Sequence, residues 1–331
     1  MDEIKLEIEK IVGTILEDYE DERIINQEAI FTQPDSDIVS DILQKLIKIV
    51  YPGFFRDKDY RFYNLNSRTT VLLEDVMYNL NKQIALALPQ DPNNSCKCEA
   101  SLDCEAQQIC LEFFRKIPKI REYVETDVEA FFDGDPAAYN YNEIILCYPG
   151  LLAITTNRIA HELHLLGVPI IPRMMTEYAH SKTGIDIHPG AQIGKYFFID
   201  HGTGIVVGET TIIGEHVKVY QGVTIGALST RGGQALKGVK RHPTIEDNVI
   251  IYAGASILGG ETIIGKGAVI GSNAFITSSI EPEARVSIKN QELNIKTGTT
   301  KNLVATEMEE RDGNSVVATE METDDSWFYV I

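Results

Sequence analysis

A six-residue repeat constrains this chain more than any other feature of its sequence. Aliphatic residues recur at this step from Val207 to Ile225 and again from Leu258 to Ile276, and Ile187, Ile193 and Ile199 keep it earlier. A fixed period of this length is typical of a parallel β-helix, in which each hexapeptide forms one short strand and a turn. The repeating aliphatic side chains would then stack from coil to coil into a continuous core. An ordinary sheet would have to produce both long runs by chance, so the sequence favours the β-helix.

The repeat divides the chain into three parts. Residues 1–182 have helical periodicity, as in the apolar face from Ile4 to Ile15, and predict an all-helical N-terminal domain. Residues 183–291 carry the repeat, and a glycine-rich basic insertion at 227–241 predicts a loop at one corner. Residues 292–331 lose the period and are acidic, which predicts a flexible tail. The predicted fold class is α+β.

The charge balance excludes some classes of partner. The chain has 30 Lys plus Arg against 49 Asp plus Glu, a formal charge of −19. Nucleic acids and anionic membranes attract basic surfaces, so neither is an expected partner. The acidic N-terminus lacks the pattern of a secretory signal, and no apolar run is long enough to span a membrane. We expect a cytoplasmic protein.

Cysteine spacing gives only a weak signal for a metal. Four of the five cysteines lie close together, at Cys96, Cys98, Cys104 and Cys110. Zinc sites usually use paired C-x-x-C motifs, which are missing here. Free thiols are therefore favoured over a metal site.

An adjacent acid and base stand inside an aliphatic stretch of the repeat. Asp200 and His201 belong to "IDHGTGIVVGET", where ionisable groups are costly unless they have a use. Asp186, in "GIDIHPGAQIG", is about one coil earlier and could lie near His201. An imidazole oriented by a carboxylate is the minimal general-base unit. A solvated corner histidine is the competing interpretation, and the spacing alone does not decide between them.

Three further polar residues stand out. Arg241 and His242 close the insertion, where a guanidinium could bind a carboxylate with two hydrogen bonds. Asp135 ends the helical segment "FFDGDPAA" and offers a carboxylate from the N-terminal domain.

The motifs resemble those of the serine O-acetyltransferases. "DIHPGAQIG", "DHGTGIVVGET", "QGVTIGA" and "RHPTI" follow one another in the order and spacing of that family. The similarity covers roughly Phe131 to Ile295, and upstream it rests on helical character alone. The resemblance implies a left-handed β-helix behind a helical domain.

The resemblance also implies a role for each polar residue. His201 would be the general base and Asp186 its orienting carboxylate. The serine ammonium and carboxylate would be bound by two acidic and two basic residues, Asp135, Asp200, Arg241 and His242. Acetyl-CoA would lie along the β-helix between subunits, held largely by backbone groups near Ala227, Ala253 and Gly254.

The implied reaction is direct transfer of acetyl from acetyl-CoA, as co-substrate, to the hydroxyl of L-serine. It gives O-acetylserine for cysteine biosynthesis and needs neither a cysteine nucleophile nor a metal. L-cysteine would inhibit at the serine site. The implied assembly is a homotrimer or a dimer of trimers, and the insertion and the long N-terminal region leave that choice open.

The C-terminal end "SWFYVI" gains a meaning from the same resemblance. A C-terminal isoleucine of this family binds O-acetylserine sulfhydrylase, and here that residue is Ile331. Capture of a terminal carboxylate with an apolar pocket is a known mode of peptide binding. The alternative is that the tail end packs on its own domain.

Three rival functions use the same features. A sugar or antibiotic O-acetyltransferase would also use a β-helix histidine, but it would not need Arg241 or Asp135. A γ-type carbonic anhydrase needs three histidines as zinc ligands, a pattern that His201, His216 and His242 do not show. A structural β-helix whose function lies in its tail is the non-enzyme alternative.

Overall fold

The computed structural model describes residues 2–21, 23–26, 32–55, 64–94 and 97–288, and the backbone of two strands at 294–297 and 301–304. Two compact units are present, Met1–Pro34 and Asp35–Ile331. The first contains helix α1 (Asp2–Tyr19).

The helical prediction for the second unit is confirmed. Its α-helices are α2 (Ser36–Val50), α3 (Leu65–Ala87), α4 (Glu99–Arg115), α5 (Ile117–Gly134), α6 (Tyr141–Cys147), α7 (Pro149–Leu165) and α8 (Ile171–Thr183). Short 3₁₀ turns lie at Leu88–Gln90, Pro92–Asn94 and Gly233–Leu236. Local signals begin and end these helices: the Asp35 side chain accepts the N–H of Ile38 at the start of α2, and Gly184, at φ 70°, ends α8 in the left-handed conformation.

The repeat folds into a left-handed parallel β-helix of about five coils, as predicted. Sheet A holds β1 (Asp186–Ile187), β4 (Val206–Val207), β7 (Thr224–Gly226), β10 (Ser256–Leu258) and β13 (Phe275–Ile276). Sheet B holds β2 (Gln192–Ile193), β5 (Ile212–Ile213), β8 (Thr244–Ile245) and β11 (Ile263–Ile264). Sheet C holds β3 (Phe198–Asp200), β6 (Lys218–Tyr220), β9 (Ile250–Ile251), β12 (Val269–Ile270) and β14 (Arg285–Val286).

The strand register stacks the repeating aliphatic residues in the core. In sheet A, the residues paired on successive strands are Ile187, Val207, Ile225, Ile257 and Ile276. All of these side chains are buried. The period therefore predicts the inward residue of each hexapeptide, except at the start of the second run, where Ile257 is buried and the predicted Leu258 is only partly buried.

The turns between sheets form the corners of the coil. Corner CA connects sheet C to sheet A and includes residues 201–205 of the first coil. Corner AB connects sheet A to sheet B and includes residues 208–211 of the second coil. The insertion leaves the third coil at corner AB, between β7 and β8.

A buried ion pair joins the helices to the first coil. Arg158 of α7 donates to both carboxylate oxygens of Asp127 of α5, at 3.1 and 2.9 Å. The same guanidinium donates to the carbonyls of Ile193 and Gly194, and Asp127 accepts the N–H of Phe197 at 3.1 Å. Because every charge is matched, this pair can be buried between α5, α7 and the turn from β2 to β3.

Beyond the β-helix, β15 (Asn294–Thr297) and β16 (Lys301–Val304) pair in antiparallel register, where the sequence predicts no regular element. Ile331 and Cys96 lie outside the described residues. Within the described part of the chain, no helix is long and apolar enough to cross a membrane.

Candidate active site

Corner CA of the first coil is two residues longer than a regular corner. The aliphatic step from Ile199 to Val207 is eight residues instead of six. The added turn has three positive φ angles, at His201 (54°), Gly202 (86°) and Gly204 (85°). A positive φ is uncommon for a residue other than glycine. The turn leaves the His201 side chain 55% exposed, so this imidazole lies at the surface and not in the aliphatic core.

Asp200 is the acidic neighbour of this imidazole. Its Oδ1 lies 3.6 Å from Nδ1 of His201. Burial raises the pKa of Asp200, His201 opposes that effect, and the nearby Asp135 raises the pKa further. The site therefore concentrates negative charge beside an accessible histidine.

Asp135 reaches the same place from the helical region. It follows α5, whose Phe131 packs edge-to-face on Phe198 of β3 with ring centroids 5.1 Å apart. The hydroxyl of Tyr148 donates to Oδ2 of Asp135 at 2.5 Å. Burial and the carboxylates of Asp135 and Asp200 raise the pKa of Tyr148, which keeps it a donor. Packing of α5 on β3 thus brings two carboxylates from distant parts of the sequence together.

Asp186 opens β1, one coil before the lengthened corner. The backbones are adjacent here, since the N–H of Gly204 donates to the carbonyl of Gly184 at 2.8 Å. The Asp186 carboxylate forms its ion pair with Arg173 of α8, at 3.1 Å. Among the described residues this carboxylate makes no contact with His201, so the pairing of Asp186 with His201 stays a prediction.

One group of side chains near Asp186 is compact enough to hold a cation. Single ligand atoms of Glu177, His180 and Asp186 lie within 4.8 Å of one another. Arg173 pairs with both carboxylates, so one of their two negative charges is already balanced by a guanidinium.

Arg241 and His242 lie at the other corner, AB. The Thr210 hydroxyl accepts the backbone N–H groups of Arg241 and His242, at 3.0 and 3.1 Å. The Arg241 guanidinium pairs with Glu209, and the Lys240 ammonium donates to the backbone carbonyls of Thr210 and His242. The end of the insertion is therefore fixed on the second coil.

The His242 ring is buried and neutral. Burial lowers its pKa to about 4, and the adjacent Arg241 and Lys240 act in the same direction, while Glu209 opposes them. Its Nδ1 accepts the N–H of Thr210 at 3.1 Å, so the proton of the neutral ring is on Nε2. At Glu209, burial would raise the pKa, but Arg241 outweighs it and keeps the pKa low.

The candidate site is consequently divided in a single chain. The structure groups Asp135, Asp200 and His201 at corner CA, with Asp186 nearby at the start of sheet A. It places Arg241 and His242 at a different corner.

The residues assigned to acetyl-CoA lie on later coils. Gly254 and Ala253 occupy corner CA between β9 and β10, and Ala227 directly follows β7. Gly254 has φ 71°, and a Cβ there would lie 2.4 Å from Oδ1 of Asn273. Only glycine fits this turn without displacing its neighbour.

Sequence reasoning missed four residues that hold the site together, Tyr148, Arg173, Glu209 and Thr210. Glu209 and Thr210 end the motif "IVVGET", so their position in that motif was an available signal. Tyr148, between α6 and α7, and Arg173, on α8, carry no local mark, and only tertiary packing brings them to the site.

Comparisons with known proteins agree with this architecture. Residues 79–156 match the family model described as serine acetyltransferase, N-terminal. A plasmid serine acetyltransferase of Synechococcus elongatus is 42% identical over 228 residues, which cover 67% of this chain and 72% of that protein. Serine acetyltransferase 1 of Entamoeba histolytica, solved with L-cysteine, is 36% identical with a TM-score of 0.64, over 82% of this chain and 91% of that one. Isoform 3 of that organism, also solved with cysteine, is 35% identical with a TM-score of 0.66, over 86% and 93%.

A left-handed β-helix behind a helical domain, with an acid-flanked histidine at one corner, defines an acyltransferase of the hexapeptide-repeat class. The relatives narrow that class, because they match this chain over most of their own length. The chain belongs to the serine acetyltransferase family.

Proposed function

We propose that this chain transfers an acetyl group from acetyl-CoA to the hydroxyl of L-serine and so makes O-acetylserine for cysteine biosynthesis. The observation that carries the proposal is the meeting of Asp135 and Asp200 beside the exposed His201. Within the described residues, neither carboxylate contacts a lysine or arginine. Two acids without a fixed cation suit the ammonium group of an amino acid.

His201 is the proposed general base. Its Nδ1 lies 3.6 Å from Oδ1 of Asp200, too far for a hydrogen bond, so the proposal assigns Nδ1 to Asp186 and Nε2 to the substrate hydroxyl. Nε2 takes the hydroxyl proton as the serine oxygen attacks the thioester carbon, and it then protonates the departing thiolate of CoA. Asp186 orients this ring in the proposal, sharing its carboxylate with Arg173.

The first test follows CoA release with serine, homoserine and sugars as acceptors. We expect His201→Ala to lose activity with serine by a factor of about 10² to 10⁴, the usual contribution of a general base. His216→Ala is the matched control, because His216 is also an exposed corner histidine, at φ 57°. Equal CoA release by wild type and His201→Ala would refute the enzyme mechanism. A preference for sugars would support the rival acceptor, and CO₂ hydration would support the anhydrase.

Roles within the acidic group can be separated kinetically. Asp186→Asn should lower kcat, because the base loses its orientation. Asp200→Asn should mainly raise the KM for serine, because the ammonium loses a partner. A lower kcat for Asp200→Asn together with a higher KM for Asp186→Asn would exchange the roles assigned to these two residues.

The second half of the site is proposed to come from a neighbouring copy. Arg241 and His242 would bind the serine carboxylate, and a homotrimer, alone or as a dimer of trimers, would place corner AB of one copy against corner CA of the next. The division of the six residues between two corners supports this assembly. Acetyl-CoA would bind along the same junction, near Ala227, Ala253 and Gly254.

Subunit mixing tests the shared site. His201→Ala and Arg241→Ala should each be inactive, but mixed assemblies refolded from equal amounts should regain about one quarter of wild-type activity. That fraction follows because only one of four pairings at each junction supplies both intact halves. An inactive mixture would place the whole site within one chain.

L-cysteine is the proposed feedback inhibitor. It has the same ammonium and carboxylate as serine, and the two Entamoeba histolytica relatives were solved with it. We expect inhibition that is competitive with serine. Unchanged activity with added L-cysteine would contradict this.

Ile331 is the proposed contact with O-acetylserine sulfhydrylase. Deleting this residue should abolish binding to that enzyme in a pull-down while acetyl transfer stays at the wild-type rate. Equal binding after the deletion would refute the contact.

A further inference from the structure

Helix α1 carries large apolar side chains on its surface. Ile4, Ile8, Ile11 and Ile15, the isoleucine seam, are 68%, 55%, 53% and 43% exposed. Their steps of four, three and four residues match alternating d and a positions of a heptad repeat. Asp18 takes the next d position, so the seam ends with the helix.

The residues of the seam specify the kind of partner. Isoleucine at both a and d favours coiled coils of three or four strands, whereas two-stranded coils prefer leucine at d. Val12 and Tyr19, at the flanking e positions, are also exposed and widen the apolar stripe. A wide stripe suits a helix that contacts two neighbours and not one.

The charges of α1 are arranged so that copies can approach. The helix has six acidic and two basic residues, and four of the acidic ones take the outer b and c positions. Glu7 flanks the seam at g, and in a parallel coil it would face Val12 of the next strand, so no like charges meet there. An acidic outer face also argues against an anionic membrane surface, which attracts lysine and arginine.

We infer that α1 packs through the isoleucine seam against α1 of two further copies of this chain, as a parallel three-stranded coiled coil. The inference rests on the proposed homotrimer, whose threefold symmetry supplies three equivalent helices. An isolated helix of this length, about 27 Å, is marginal in water. Three chains already joined through their β-helices would hold the three copies of α1 at a high effective concentration.

The test is chemical cross-linking of the full-length protein with a short lysine-reactive reagent, read by mass spectrometry. Lys5 lies at an e position beside the seam, and in a parallel coil the three copies stand at the same height. A link from Lys5 to Lys5 can only join two copies, because one chain has a single such residue. We expect this link in the wild type.

Matched substitutions decide whether the seam causes the contact. Ile8→Asp and Ile11→Asp should abolish the Lys5–Lys5 link, whereas Leu6→Asp should retain it. Leu6 lies at the outer f position and is 58% exposed, about as much as Ile8 and Ile11. In a single chain the three substitutions should therefore have similar effects, and only contact between copies should distinguish them. A link that is missing in the wild type, or equal in all variants, overturns the inference. Links from Lys5 only to lysines of the second unit would mean that the helix packs on its own chain.

The same samples separate this inference from the proposed function. CoA release with serine should be retained in Ile11→Asp, since the candidate site lies between residues 135 and 254. A Lys5–Lys5 cross-link without serine-dependent CoA release would support the coiled coil and refute the proposed activity. Serine-dependent CoA release without the Lys5–Lys5 cross-link would support the proposed activity and refute the coiled coil.

Discussion

At the scale of single residues, corner geometry gives two histidines different surroundings. His216 lies at a regular corner with φ 57°, and its ring stacks on Tyr196 at a centroid distance of 4.2 Å. His201 has nearly the same φ, but its lengthened turn places it beside Asp200 and the end of α5. The two histidines thus share a left-handed backbone conformation and differ in the side chains that surround them. This is why His201 carries the proposed chemistry and His216 serves as its control.

Tyr148 is expected to position Asp135. Tyr148→Phe removes the hydroxyl that donates to Oδ2 of Asp135 at 2.5 Å. The Asp135 carboxylate then keeps only the hydrogen bond that it accepts from the N–H of Ala137. A hydrogen bond to a charged group is worth about 1.5–3 kcal/mol, so the KM for serine should rise roughly tenfold with a smaller change in kcat. Tyr139→Phe, at an exposed side chain, should leave both constants unchanged. A fall in kcat alone would argue against a positioning role.

The neutral state of His242 makes stability depend on pH. Its pKa is about 4 in the folded chain against an ordinary 6.5, so between these values the unfolded chain binds a proton that the folded chain does not. The folded state is therefore favoured above pH 6.5 and loses this advantage as the pH falls toward 4. Tm measured across this range should fall less steeply for His242→Gln than for wild type. Parallel curves would show that the ring titrates normally.

At the scale of elements, a glycine of the repeat makes room for the His242 ring at the point where the insertion returns to the β-helix. Gly208, after β4, has the His242 ring against it, and an added Cβ would lie 2.0 Å from the ring carbon Cδ2. The Thr210 hydroxyl then fixes the backbone of both insertion residues. A small residue on one coil therefore decides where the His242 side chain, a proposed serine-binding group, can lie.

Gly208→Ala is expected to displace His242. Overpacking of this kind typically costs about 1–3 kcal/mol of unfolding free energy, and serine turnover should fall because the ring moves. Gly13→Ala is the control, since a Cβ there meets nothing within 4 Å. Denaturant unfolding and CoA release measure both effects, and a variant as stable and active as wild type would contradict the packing argument.

At the scale of the whole second unit, the Asp127–Arg158 pair joins helices and β-helix. Both side chains are buried, so removing one partner leaves an uncompensated charge. The more exposed pair of Lys195 with Glu122 joins the same two regions at the surface. These two pairs differ in burial and hence in what their loss should cost.

Arg158→Met should lower the free energy of unfolding by about 3–5 kcal/mol, the usual cost of breaking a buried pair. The double variant Asp127→Leu with Arg158→Met should recover part of that loss, because no buried charge remains. Lys195→Met should cost much less than Arg158→Met, because water screens the surface pair. Denaturant unfolding of the three variants checks this, and equal losses at the buried and surface pairs would refute it.

The sequence by itself determined the β-helix, the inward residue of every hexapeptide but the one at Ile257, and the presence of a loop at one corner. These are local properties, because a fixed period assigns every residue a place within its own coil. The extra two residues before Val207 even marked the corner that carries His201. What the period could not supply was any contact between the helices and the coils.

Tertiary structure alone decided those contacts. Packing of Phe131 on Phe198 brings Asp135 to Asp200, and α8 brings Arg173 to Asp186. The separation of His201 from Arg241 and His242 also appears only when the coil closes into three sheets. The physical reason is that helix docking depends on the shapes of two surfaces built from distant segments, and no spacing along the chain records such a match.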